Sequence, residues 1–283
     1  VDFGSLDRFF SYAAAQHFCI FMGNFDTHEL PMNIRRSTAM RTSRFVQAAH
    51  SVLLAIALFA LVLFLPVTSN AQTQPAGLGE AQAQAVQARD KFIARVHAAG
   101  DTCPIAAPTI VIEDVPSFGQ YDPTTNTLRT ADWTLLRAEE KAFFIQLAGP
   151  GKTESDARDL FDTASHKWIF IHELGHWWQA CAGGNAKRTN YQVEYGANRI
   201  SLAYWREVEP GVADTMRPIF QGVLDHMPSP VPAGQAVEQY FNDNYQTLGP
   251  SPAYPWFMSR MNISAYEEKP APDFAAALAS EKQ

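Results

Sequence analysis

Little in this chain of 283 residues is basic, little is cysteine, and no apolar run is long. Lysine and arginine number 22 against 29 aspartate and glutamate. That balance gives no electrostatic reason to bind nucleic acid or an anionic membrane. The three cysteines leave room for a single bridge at most. The longest apolar run, residues 52–65, has fourteen members, short of the roughly 20 that a helix needs to cross a bilayer. The glycines and lysine of 149–152 lack the full phosphate-loop spacing, so no nucleotide site is read there. No internal repeat and no second domain boundary stand out.

The apolar run has the surroundings of a secretory signal. Arg35, Arg36, Arg41 and Arg44 precede it, Pro66 closes it, and Ser69 and Ala71 are small residues at the −3 and −1 positions of a cleavage site. The expectation is a signal peptide over 32–71, a stretch 1–31 that is not part of the native product, and a mature domain over 72–283. The alternative is an N-terminal membrane anchor, with Ala48 and Ala49 lengthening the span. No cysteine lies near the cleavage site for lipid attachment. Removing the five basic and four acidic residues before Gln72 from 22 and 29 leaves 17 and 25, a net charge of −8. The product is therefore expected to be periplasmic or secreted, free of the membrane after cleavage.

The chemistry is concentrated in residues 169–178, where His172, Glu173 and His176 form an H-E-x-x-H pattern. On a helix, residues four apart lie one above the other, so both imidazoles leave the same face and can share one tetrahedral Zn²⁺. Glu173 sits about 100° round the helix from His172. It misses the metal position but reaches a water there, where a general base must stand. Ile169, Phe170, Ile171, Leu174, Trp177 and Trp178 surround the pattern without a charge among them. Such a helix is buried all round, as a rigid ligand scaffold has to be. The two tryptophans read as core, with a substrate-pocket floor the alternative for one of them.

These residues resemble the zincin metallopeptidases, and more narrowly the gluzincins, whose third ligand is a glutamate on the next helix. The resemblance covers residues 169–199. Gly183 and Gly184 stop the first helix. His176 lies roughly 9 Å of helix before that stop, and Glu194 roughly 6 Å into the returning helix. The two levels nearly match, so the resemblance implies a metal set of His172, His176 and Glu194. Asn198, one turn beyond Glu194, occupies the place where the family has a polar residue, commonly aspartate, that orients the first histidine. It further implies one zinc per chain, a peptide or protein substrate, and an oxyanion donor from the C-terminal part of the chain. His226, Tyr240, Tyr245, Tyr254 and Tyr266 are the candidates, with His226 and Tyr254 carried forward. Metzincins are set aside, because Gln179 and Ala182 stand where they need glycine and histidine. A di-iron site would need a second Glu-x-x-His pair, which the chain lacks.

The fold expected is α+β and mainly helical: a zincin-like single domain with a small N-terminal sheet or hairpin on the metal-binding helix. Helices are expected over 80–99, 133–147, 191–208, 212–227, 237–248 and 255–269, the fourth kinked at Pro218. A strand is expected over 109–112, and a hairpin pairs 118–121 with 128–130. One of its strands is the candidate edge for an extended substrate. Residues 156–163 read as a turn into the metal helix, and those after Pro270 as a polar tail. Cys103 and Cys181 are expected to bridge, pinning the end of the metal helix. A thiolate zinc site fits less well, since Cys181 lies about 140° round the helix from His176. The function read from these residues is an exported zinc-dependent metallopeptidase with Glu173 as base. The alternative is a non-catalytic exported protein of the same fold, with a structural metal or none. A closed structural site would take a fourth protein ligand, for which His166 and His226 are the available donors.

Overall fold

Buried apolar side chains from one short sheet and several helices, among them Phe92, Val96, Ile110, Leu128, Ile171, Leu174, Ile200 and Leu202, form the main core. The computed structural model describes residues 77–249 and 251–282. The expected signal segment and the stretch before it lie outside the described residues. The architecture is α+β and mainly helical, with one three-stranded sheet. No helix among the described residues is long and apolar enough to cross a membrane.

Helix α1 (Leu78–Ala98) buries Phe92 and Val96. Three strands follow: β1 (Thr109–Ile112), β2 (Gly119–Asp122) and β3 (Thr127–Thr130). The order is β1-β3-β2, with β1 parallel and β2 antiparallel to β3. The tight connection between β2 and β3 is set by Asp122. Its carboxylate accepts from the Thr124 amide and the Thr125 hydroxyl, both at 2.8 Å, and Asn126 adopts φ 49°. These are the local side-chain bonds and left-handed tolerance that make Asp and Asn turn residues. The hairpin registers as Gly119 opposite Thr130 and Tyr121 opposite Leu128.

Helix α2 (Ala138–Ala148) starts later than periodicity suggests. Asp132 to Leu136 form hydrogen-bonded turns instead, which let Trp133 and Leu136 join Phe144 and Phe161 in an aromatic cluster. The segment expected as a turn before the metal helix is itself helical. Helix α3 (Glu154–Phe161) passes into a π-helical stretch, Asp162–Ile169, and this into the metal helix α4 (Phe170–Cys181). Asp162 and Phe170, at the two joints, both keep right-handed helical angles. The rod is therefore unbroken. π-Helical insertions of this kind are rare and cluster at functional sites.

Helix α5 (Asn190–Val208) is capped by Thr189, whose hydroxyl accepts from the Gln192 amide. It packs closely on α4 because Gly175 faces Ala197: a Cβ on Gly175 would lie 3.1 Å from the Ala197 Cα. Helices α6 (Pro210–His226), α7 (Val237–Leu248) and α8 (Tyr254–Glu267) complete the bundle, and α6 carries Pro218 inside it. The stretch expected as a polar tail contains a further helix, α9 (Phe274–Ala279), capped by Asp273. Phe274, Ala277 and Leu278 are buried, and Phe274 stacks edge-on against Phe92. Six residues are too few to show a helical period among alanines, which is why the pattern read as a tail.

Cys103 and Cys181 form a disulfide that spans 78 residues of chain and fastens the end of α4 to the segment before β1. By the chain-entropy account, closing so long a loop contributes about 4 kcal/mol. Cys103→Ser is expected to lose about that much stability. Urea unfolding under non-reducing conditions measures the loss, and an unchanged midpoint would show that the bridge constrains nothing.

Candidate metal centre

His172 and His176 leave α4 on one face, and their Nε2 atoms converge to 3.1 Å. Glu194 enters from α5, with its Oε2 at 3.3 Å from His172 Nε2 and 3.6 Å from His176 Nε2. A tetrahedral zinc with nitrogen and oxygen bonds of about 2.0–2.1 Å needs donor-to-donor edges of about 3.3–3.4 Å. The three edges bracket that length. Glu194 is 5% exposed, and its Oε2 has no hydrogen-bond partner. A buried carboxylate oxygen facing two imidazole nitrogens needs a positive charge beside it, from a protonated ring or from a cation at the centre of this triangle. The donor set and its geometry therefore fit the ion that the sequence implies.

Each ligand is held from behind. His172 Nδ1 donates to Asn198 Oδ1 at 3.0 Å. His176 Nδ1 donates to Gln179 Oε1 at 2.9 Å. Tyr245 donates its hydroxyl to Glu194 Oε1 at 3.0 Å. Gln179 and Tyr245 as orienting groups are beyond what the sequence reading assigned. A glutamine three residues after a ligand lies on the same helical side, and that was the available signal for Gln179. Tyr245 had none, since its place depends on how α7 packs on α5.

Glu173 also offers an oxygen near the two imidazoles, within 4.8 Å of their donor atoms. The two carboxylates differ in their partners. Glu173 Oε2 accepts from the Tyr121 amide of β2 at 2.7 Å, whereas Glu194 Oε2 accepts from nothing. The Glu194 oxygen thus faces the imidazoles, while Glu173 is tied to the strand. Strand β2 is an edge strand lying against α4. The approach is so close that a Cβ on Gly119 would fall 2.5 Å from Ile169 Cγ2. The edge expected to receive a substrate strand has its Tyr121 amide engaged by Glu173 instead.

The field within the site is strong. Burial alone opposes charge on His176, but the Glu194 carboxylate, with Glu173 and Gln179, pushes its pKa up to about 9. Burial likewise opposes charge on Glu194, yet His176 and His172 hold its carboxyl far below the usual range. Tyr254 senses Glu194, Tyr245 and Glu173, and burial first, then these charges, push its phenol well up. The phenol therefore stays neutral.

His226 is placed elsewhere: it is exposed on the last turn of α6, with Nδ1 against the Gly222 carbonyl. His166 is engaged by the Ala131 carbonyl at 2.7 Å and by Asp162 at 3.0 Å. Tyr240 stacks on Phe257, and Tyr266 donates to the Ala213 carbonyl. Trp177 and Trp178 are both core, their indole N–H groups satisfied by the Ala106 and Leu278 carbonyls.

Comparison with protein-family models, with curated proteins and with solved structures finds no match.

Proposed function

We propose that this chain is an exported zinc-dependent hydrolase of the zincin kind, and within it of the gluzincin type, cleaving peptide bonds. The observation that carries the reading is the triangle of His172 Nε2, His176 Nε2 and Glu194 Oε2, whose oxygen is buried without a donor. When bound there, zinc supplies Lewis-acid polarisation of a carbonyl and lowers the pKa of water at its open position toward neutrality. The chain's own groups do the rest. Asn198 and Gln179 hold a proton on Nδ1 of each imidazole, so that the neutral ring presents its Nε2 lone pair. Glu173, steadied by the Tyr121 amide at Oε2, has Oε1 to take a proton from the attacking water and pass it to the leaving amine. Tyr254, whose phenol stays protonated, is the candidate donor to the developing oxyanion.

A closed structural site is the competing reading, and it needs a fourth protein ligand. Neither donor considered for that role joins the triangle: His166 is committed to Ala131 and Asp162, and His226 is exposed on α6. That supports an open fourth position.

The test is metal analysis of the purified protein together with turnover of a quenched-fluorescent peptide library. One zinc per chain is expected, with turnover lost on chelation and regained with added zinc. A folded protein that takes up no zinc when it is supplied would sink the proposal. Full zinc occupancy with no turnover of any library member would favour the structural reading.

A further inference from the structure

Behind the ligands lies the amide of Gln179, which is 1% exposed. Its Nε2 donates to the Val193 carbonyl at 2.8 Å and to Glu281 Oε2 at 2.9 Å. Both partners can only accept, so the amide has one orientation. Its Oε1 must then face His176 Nδ1, and because Oε1 only accepts, Nδ1 must carry the proton. Glu281, on the segment after α9, is itself 3% exposed. Arg188 holds it in a charge-assisted hydrogen bond and also donates to the Ser280 carbonyl at 3.0 Å. Its place is cleared by Gly196, where a Cβ would lie 2.5 and 2.6 Å from the two carboxylate oxygens. The carboxylate thus fills the space of a missing side chain on the ligand helix α5.

We infer that Glu281 is a positioning residue for the metal ligand His176, acting through Gln179. The chain of bonds runs from Arg188 to Glu281, to Gln179 Nε2, and from Gln179 Oε1 to His176 Nδ1. Without Glu281 the amide loses one of its two acceptors. It is then free to turn its NH₂ toward His176, and the opposite tautomer puts a proton on Nε2, which faces the other donors. The inference rests on the metal centre proposed above.

The experiment is the zinc dissociation constant of the full chain, by competition with a chromophoric chelator, in a double-mutant cycle. Gln179→Leu is expected to weaken zinc about 10- to 100-fold, as loss of a ligand's hydrogen-bond partner does. Glu281→Ala is expected to weaken it about tenfold, the lower end of that range. In the Gln179→Leu background, Glu281→Ala should add nothing further, because its effect travels through the amide. Gly196→Ala, which displaces the carboxylate and suits a helix, should reproduce the Glu281→Ala constant by an independent route. Wild-type affinity in both Glu281→Ala and Gly196→Ala overturns the inference and leaves the metal centre standing. The same loss with and without Gln179 also overturns it, since that is a role in packing α9 and not in placing His176. A wild type that takes up no zinc overturns the centre, and the inference with it.

Discussion

Glu173→Gln is expected to reduce peptide turnover by about 10²- to 10⁴-fold, the usual worth of a positioned general base, while zinc content stays at the wild-type level. The reasoning is steric and electronic together. Glutamine has the size of glutamate, and its Oε1 can accept the Tyr121 amide that now binds Glu173 Oε2 at 2.7 Å. The buried contact between β2 and α4 therefore survives. What is lost is the second carboxylate oxygen as a proton acceptor. Because Glu173 is not one of the three converging donors, the metal should not notice the change. Metal analysis and library turnover on the same preparation check both halves. Turnover within a few-fold of wild type would reject Glu173 as the base. Zinc lost in parallel with turnover would instead place Glu173 among the ligands and reopen the division of roles between the two carboxylates.

The site was more legible in the sequence than the frame that holds it, for a physical reason. His172, Glu173 and His176 are bound to one another by helical spacing, which is local, and Glu194 and Asn198 by the length of two helices about a glycine stop, which is nearly so. The hairpin of β2 and β3 was equally local, fixed by Asp122 and Asn126. Most of the misses are tertiary. Residues 156–163 looked like a turn because polar residues dominate there, yet the rod continues through them as α3 and π-helix. Gln179 reads as a solvent-facing glutamine until α5 and the segment after α9 close over it. Glu281 reads as part of a charged tail, and only Gly196, a glycine in mid-helix on another element, makes room for it. The phenol of Tyr245 reaches Glu194 from a helix 51 residues further along the chain. Where a contact depends on which helix packs where, composition and period carry no trace of it. The same frame gives the site its strength, since it buries a carboxylate and one imidazole and half-buries the other.

That burial sets the second large effect. Glu194→Ala is expected to weaken zinc by more than about 100-fold, beyond the range seen when a partner behind a ligand is lost, because it removes a converging donor and the only carboxylate charge in the triangle. It should also change how zinc binding depends on pH. In the metal-free protein burial opposes charge on His176, but Glu194, with Glu173 and Gln179, outweighs it and holds the pKa up at about 9. At pH 7.5 the ring is therefore protonated, and an ion must displace that proton to bind. Affinity should rise about tenfold per pH unit as pH approaches 9 and level off above it, with about one proton released per ion from His176. Alanine at 194 leaves burial, which opposes the charge, without its strongest opponent. The His176 pKa then falls, the ring is neutral at pH 7.5, and the proton released by zinc falls with it. Calorimetric titration of zinc in buffers of different ionisation enthalpy counts those protons directly. An equal proton count in the variant would mean that some other group holds the charge on His176. An equal dissociation constant would reject Glu194 as the third ligand, whatever the geometry of the triangle.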